Sequence, residues 1–134
     1  MNVLLDTHSL IWWLDDDPGL NDPARAAIAD PQNRVCASVA SLWEVGIKHA
    51  LGKIPVHPGI LWAGVEQGGI EMLNVTPDHT VRVADLPLFE DHRDPFDRML
   101  VAQAIVSDLV LVTADSKIQQ HRTAYSVETL WAGL

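Results

Sequence analysis

The hydrophobic and polar positions along the chain alternate between short apolar runs and helix-length amphipathic stretches. Asn2-Val3-Leu4-Leu5 reads as a buried strand and is followed at once by Asp6-Thr7-His8-Ser9 and the helix-compatible Leu10-Ile11-Trp12-Trp13-Leu14. Asp15-Asp16-Asp17-Pro18-Gly19 is a solvated turn, and Asn21-Asp22-Pro23 opens a short Ala-rich helix to about Ala29. Arg34-Val35-Cys36-Ala37 predicts a second strand, after which Ser38 caps a helix from Val39 to about Ala50 with an apolar face of Val39, Leu42, Trp43, Gly46, Ile47 and Ala50. Gly52 to Gly59 reads as a loop, Ile60 to Gln67 as a weak helix, Ile70 to Val75 as a strand, and Thr76-Pro77-Asp78 as the start of another helix.

The most informative stretch is His92-Arg93-Asp94-Pro95-Phe96-Asp97-Arg98, leading into Met99-Leu100-Val101-Ala102-Gln103-Ala104. Asp94 suits an N-cap, Pro95 the first helical position, and Asp97 the third, where a carboxylate meets the positive end of the helix dipole. From Met99 to Val106 every residue but Gln103 is apolar, so this helix is expected to be buried on nearly all sides. Leu109-Val110-Leu111-Val112-Thr113 is the clearest buried strand, followed by Ala114-Asp115-Ser116-Lys117. A last strand is expected near Ala124 to Val127, with Leu130 and Trp131 packing at the terminus.

Strands alternating with helices imply an α/β, three-layer sandwich, a short parallel sheet covered by helices on both faces, with right-handed crossovers. In open sheets of this kind, ligands bind beyond the carboxyl ends of the strands. Asp6 and Asp115 both follow strand ends, and Asp97 begins a helix on the same side. Glu44, two turns into its helix, can lean over that edge. Each acid also has a plainer reading: Asp6 and Asp94 as helix caps, Glu44 as an exposed i,i+4 partner of Lys48.

Composition narrows the picture. At 134 residues and 48% hydrophobic content, residues 1–134 are expected to form one domain. No apolar run reaches the ~20 residues of a membrane span. No basic segment precedes the first strand, so no secretory leader is expected. The single Cys36 forbids an intrachain disulfide and suits a reducing, cytoplasmic setting. A net charge of -9 argues against nucleic-acid binding through a broad basic face. It does not argue against a nuclease that gathers carboxylates around a divalent ion.

With these motifs in order, the chain resembles the PIN domain family, and within it the VapC toxin ribonucleases. The resemblance runs nearly end to end and rests on Leu4-Leu5-Asp6-Thr7-His8-Ser9, Ser38-Val39-Ala40-Ser41-Leu42-Trp43-Glu44-Val45, His92 to Ala104, and Leu111-Val112-Thr113-Ala114-Asp115. It implies that Asp6, Glu44, Asp97 and Asp115 are the catalytic and metal-binding quartet, holding Mg2+ or Mn2+ for endonucleolytic cleavage of RNA. Asp94 is then a helper or cap, and Thr113 and Thr7 orient the acids. A homodimer and a cognate antitoxin protein are the implied partners. Two positions depart from the family pattern: His8 stands where many relatives have Asn or Ser, and Ile118 where many have a further acid. His8 is expected to be structural or substrate-facing, and Arg93, Arg98 and Lys48 meet phosphates or form surface ion pairs.

Two other readings remain at this point. A phosphoryl-accepting, receiver-like signalling domain also gathers acids at strand ends, with a Thr and a Lys nearby such as Thr113 and Lys117. A housekeeping PIN nuclease would share the site without an antitoxin. Of Trp12, Trp13, Trp43 and Trp62, at least one is expected at the surface, because Trp is enriched at interface hot spots.

Overall fold

The computed structural model describes all residues from Met1 to Leu134. In chain order the elements are β1 (Asn2–Leu5), α1 (Thr7–Leu14), α2 (Asp22–Ala29), β2 (Arg34–Ser38), α3 (Val39–Ala50), α4 (Pro58–Gln67), β3 (Glu71–Leu73), α5 (Pro77–Asp85), α6 (Pro95–Val106), β4 (Val110–Thr113), α7 (Ser116–Tyr125) and β5 (Thr129–Trp131). The five strands form one sheet in the order β3-β2-β1-β4-β5, and every pairing is parallel. Val3 lies beside Val35 and Val110, which fixes β1 at the centre of the sheet.

Period-two alternation sends successive strand residues to opposite faces, and each face finds its own helices. Val3, Leu5, Val35, Ala37 and Val112 pack with Leu10 of α1, Ala24 and Ile28 of α2, Val45 of α3 and Leu61 and Val65 of α4. On the other face Leu4, Cys36 and Leu111 pack with Leu86, with Leu100, Val101 and Ala104 of α6, and with Ile118 and Tyr125 of α7. This is the expected three-layer sandwich. No helix is long and apolar enough to cross a membrane.

The strand order also disposes of the receiver reading. A receiver-type sheet runs 2-1-3-4-5, placing the first strand beside the third. Here β1 lies between β2 and β4. The chain winds outward through β2 and β3, then returns to the other side of β1, so the direction of winding switches between β1 and β4. A crevice opens at such a point.

Several boundaries differ from those the pattern predicts. The strand expected over Ile70 to Val75 is only Glu71–Leu73. The strand expected near Ala124 to Val127 is the end of α7 and its exit: Asp115 and not an apolar run starts the helix, and Ser126 ends it with φ of 60°, after which β5 forms over Thr129–Trp131. Sparse apolar spacing hid α7, whose buried residues are only Ile118 and Tyr125. α1 begins at Thr7, three residues before the apolar run, because Asp6 accepts a hydrogen bond from the Ser9 backbone N–H at 2.7 Å and caps it.

Candidate active site

The carboxyl ends of β1 and β4 lie side by side, and α1, α6 and α7 begin around them. Each of these helices is N-capped by an acid: Asp6 caps α1, Asp94 caps α6 and Asp115 caps α7. The capping readings made from sequence are therefore correct for Asp6 and Asp94. They do not compete with a place in a site, because one carboxylate can accept from its helix and still face the crevice. Asp6, Thr7, His8, Glu44, Lys48, Asp94, Asp97 and Asp115 line one cleft of about 210 Å³, together with Ile11 and Ile54. All four acids of the expected quartet are in it.

The carboxylates are held differently. Asp6 is buried and rigid: Oδ1 accepts from Ser9 N at 2.7 Å, and Oδ2 accepts from the Thr113 hydroxyl at 2.7 Å and from Ala114 N at 3.0 Å. Burial pushes its carboxyl above the ordinary range, against the pull of these hydrogen bonds from Ser9, Thr113 and Ala114. Thr113 serves both strand-end acids, since its oxygen also accepts from Asp115 N at 3.0 Å. Asp115 uses Oδ1 to accept from Lys117 N at 2.8 Å and Ile118 N at 2.9 Å, leaving Oδ2 free of protein donors.

Glu44 is 6% exposed, not on a solvated face. α3 packs against both α1 and α6, so the side that looks polar in sequence is covered by neighbouring helices. Its Oε1 lies 2.7 Å from the Thr7 hydroxyl, and Oε2 accepts from Lys48 Nζ at 2.7 Å. The i,i+4 pair with Lys48 therefore exists, but its acid partner points into the cleft. The Glu44 hydrogen bond raises the Lys48 pKa, and the charges of Glu44, Asp94 and Asp97 add to it.

Asp97 has the most perturbed chemistry. Burial, then the charges of Asp115, Asp94, Glu44 and Asp6, push its carboxyl up to about 8. One oxygen, Oδ2, lies 3.3 Å from His92 Nε2. The His92 ring is buried, which pushes its pKa below the ordinary histidine value. Ligand atoms of His92, Asp97 and Asp115 lie within 4.8 Å of one another. Asp6 and Glu44 line the same cleft but fall outside this tightest group.

The donor set fits a hard divalent cation. Five carboxylates, the expected quartet and Asp94, line one space with a single ammonium beside them, and oxygen donors are what Mg2+ and Mn2+ prefer. Burial first, and then the neighbouring carboxylates, disfavour the ionised form of Asp97, and a cation in the cleft would offset both. Three helix N-termini aimed at the cleft supply part of the compensation.

Other expected contacts fall elsewhere. Arg98 is buried and donates through Nη1 to Pro87 O at 2.7 Å, and through Nη2 to Val83 O at 3.2 Å and Leu86 O at 3.4 Å, tying the α5–α6 connection to α6. Its guanidinium is spent on backbone carbonyls rather than on a surface ion pair. His8 lines the cleft with its ring 5.0 Å from that of Trp12. Ile118 of α7 is fully buried in the core, so this chain has an apolar core contact where a further acid ligand would stand. Trp43 and Trp62 are the exposed tryptophans, at 67% and 52%. His92 was not singled out from the sequence: its partner Tyr125 lies 33 residues away, and no local spacing announces that contact.

Comparison with known proteins agrees with this architecture. Ribonuclease VapC22 of Mycobacterium tuberculosis is 28% identical over 132 residues, covering 96% of this chain and 98% of the relative. The structure of VapBC2 from Rickettsia felis, bound to a DNA fragment from its promoter, superposes with a TM-score of 0.68 at 15% identity, covering 98% of this chain and 99% of that one. VapBC-1 of nontypeable Haemophilus influenzae gives a TM-score of 0.64 at 18% identity, with 97% of each chain covered. Residues 3–124 match the PIN domain family, and the chain belongs to it.

Proposed function

We propose that residues 1–134 work as one metal-dependent endoribonuclease domain, the toxin of a type II toxin–antitoxin pair, with Asp6, Glu44, Asp97 and Asp115 as the catalytic, metal-holding quartet. The observation that carries this reading is the convergence of four carboxylates, from four separate segments, on one cleft at the point where the sheet's winding reverses. Membership of a nuclease family and the likeness to a VapC ribonuclease support the reaction class.

A bound Mg2+ or Mn2+ ion supplies Lewis acidity at the phosphate and lowers the pKa of water near it. The chain's own residues hold the charge that such an ion needs. Asp97 and Asp115 present oxygens that no protein donor occupies. Asp6 is fixed by three donors, and Thr7 and Lys48 fix Glu44. The Lys48 ammonium, at the cleft wall, is placed to meet a phosphate oxygen of the RNA backbone. Without a cation the cleft repels that backbone, so RNA binding and metal binding should be coupled.

The experiment is cleavage of a labelled RNA pool with Mg2+ or Mn2+, with and without EDTA. Chelation should abolish it, and Asp6→Asn, Glu44→Gln and Asp115→Asn should fold but neither cleave nor bind Mn2+. Full cleavage by a folded Asp6→Asn or Asp115→Asn variant would sink the assignment.

The partners follow from the same reading. The structural relatives named above are VapBC complexes, and the charge of -9 favours a basic antitoxin segment, which could set an Arg or Lys against the acids. Inhibition should then weaken at high salt. Trp43 lies edge-on to Phe96 at 5.2 Å in a groove of about 500 Å³ with Val39, Val75, Val83 and Met99, a surface suited to homodimer contact. A cytoplasmic location fits the free Cys36. A housekeeping nuclease is the competing reading, and co-expression with any small basic protein encoded directly beside this chain separates the two: no such protein, or no complex and undiminished cleavage, would remove the antitoxin.

A further inference from the structure

The connection before α6 is folded around one side chain. Phe89 and His92 pair across an isolated antiparallel bridge, with His92 N donating to Phe89 O at 3.2 Å. Phe89 stacks on His121 at 3.8 Å and meets Tyr125 edge-on at 5.3 Å, so the His92 ring is enclosed by aromatic groups and is 4% exposed. Its two nitrogens have one partner each. Nδ1 lies 2.7 Å from the Tyr125 hydroxyl, and Nε2 lies 3.3 Å from Asp97 Oδ2.

These two contacts fix the ring's proton. With Asp97 ionised, as it is when it holds a cation, a bare Nε2 lone pair facing its carboxylate oxygen would be repulsive, so Nε2 carries the hydrogen and donates it to Asp97. The neutral ring then has a lone pair at Nδ1, which accepts from the Tyr125 O–H. A directional chain therefore runs from Tyr125 through His92 to Asp97. Tyr125 ends the helix that Asp115 begins, so α7 connects two carboxylates of the cleft, one through its cap and one through this chain.

The geometry points to His92 as the positioning residue that sets the orientation of Asp97, with Tyr125 fixing the tautomer that makes it a donor. With Oδ2 held by the imidazole, the carboxylate cannot rotate freely, and Oδ1 has no protein donor in a residue that lines the cleft. Ordinary packing would explain a buried imidazole, but an apolar ring of the same size would serve that purpose without aiming an N–H at a charged cleft residue. The inference rests on the reading of Asp97 as a holder of the divalent ion. It adds how that residue is kept in place. Outer hydrogen bonds to metal-holding groups typically matter by 10- to 100-fold in affinity.

The test is Mn2+ binding to the intact protein, without RNA, by calorimetric titration. His92→Phe keeps a planar ring and removes both nitrogens. His92→Gln places an amide N–H where Nε2 stood. Tyr125→Phe removes only the hydroxyl. We expect His92→Phe to weaken Mn2+ by about 10-fold or more, His92→Gln to recover to within about 3-fold of the parent, and Tyr125→Phe to fall between them. Thermal melts of the same proteins report packing separately, and a packing role would lower the melting temperature while leaving Mn2+ affinity unchanged. Parent-like affinity in His92→Phe, or a Gln variant as weak as Phe, overturns the proposal. If His92→Phe does not fold, Tyr125→Phe decides alone, and unchanged affinity there overturns it. Pulsed electron paramagnetic resonance of bound Mn2+ should show no directly coordinated imidazole nitrogen; such coupling would make His92 a ligand and refute the positioning role. A parent protein that binds no Mn2+ would instead remove the metal reading itself, and the positioning role with it.

Discussion

Replacing Asp97 with Asn should stabilise the metal-free protein while destroying its response to metal. The side chain is buried among like charges, and its carboxyl is pushed up to about 8 from an ordinary value of 3.8. Each pH unit of such a shift is worth about 1.4 kcal/mol between the two protonation states, which sets a ceiling of about 6 kcal/mol. Water in the cleft and the neighbouring Lys48 ammonium reduce this, so a gain of about 2 kcal/mol is expected once the parent carboxylate is ionised. The sign follows from linkage. Because the folded pKa is raised, the unfolded chain releases its proton first, so the contribution is fully present below about pH 4 and is lost as pH rises through about 8. The metal-free parent should therefore melt at falling temperature from pH 5 to pH 9, and Asp97→Asn should flatten this slope. At pH 9 the variant should melt about 5 °C or more above the parent, and at pH 5 close to it. Asn keeps an oxygen for the His92 N–H, so packing is preserved. Adding Mn2+ at pH 9 should raise the melting temperature of the parent but not of the variant. Metal-free Asp97→Asn melting at or below the parent at pH 9 would refute the argument that uncompensated charge resides in this cleft.

Further outcomes follow from individual contacts. Asp94→Ala removes the acceptor for Phe96 N and Asp97 N, and should cost about 0.5 to 2 kcal/mol in urea unfolding while cleavage persists; unchanged stability with lost cleavage would assign Asp94 to the chemistry instead. Thr113→Val deletes the hydroxyl shared by Asp6 and Asp115, so both stability, by about 1 to 3 kcal/mol, and Mn2+ affinity should fall together. Arg98→Met strands the carbonyls of Val83, Leu86 and Pro87, and a loss of about 2 to 4 kcal/mol should appear in thermal unfolding, with a parent-like melt counting against a structural role. Trp43→Ala should weaken self-association by at least about 2 kcal/mol, roughly 30-fold, in sedimentation equilibrium, and no change would place the dimer contact elsewhere.

The features legible in the residues alone are those that local physics controls. Burial of Val3 to Leu5 and Leu111 to Val112 follows from continuous apolar runs, and the start of α6 follows from Asp94-Pro95. Each of those signals lies within a few residues of the structure it specifies. The α/β alternation was readable for the same reason, and the order and spacing of four weak motifs sufficed to place the chain in its family. The end of the chain was less readable: α7 buries only Ile118 and Tyr125, too few positions to mark a helical period.

How the acids and their supports meet depends on the packing of segments far apart in the chain. Glu44 and Lys48 read as an exposed pair until α1 and α6 cover that side of α3, because helical spacing fixes which residues share a face but not what packs against it. Arg98 reads in sequence as a phosphate contact or a surface ion pair, yet the carbonyls it satisfies are brought to it by the return of the α5–α6 connection. His92, Asp97 and Tyr125 become one chain of hydrogen bonds through a contact between residues 33 apart. The pKa of Asp97 has the same origin, for it is raised by burial and by the charges of Asp115, Glu44 and Asp6 on three other segments as well as by Asp94 on its own. Capping and periodicity are short-range and therefore written locally, whereas convergence depends on strand order, which the chain acquires only when β4 returns to the side of β1.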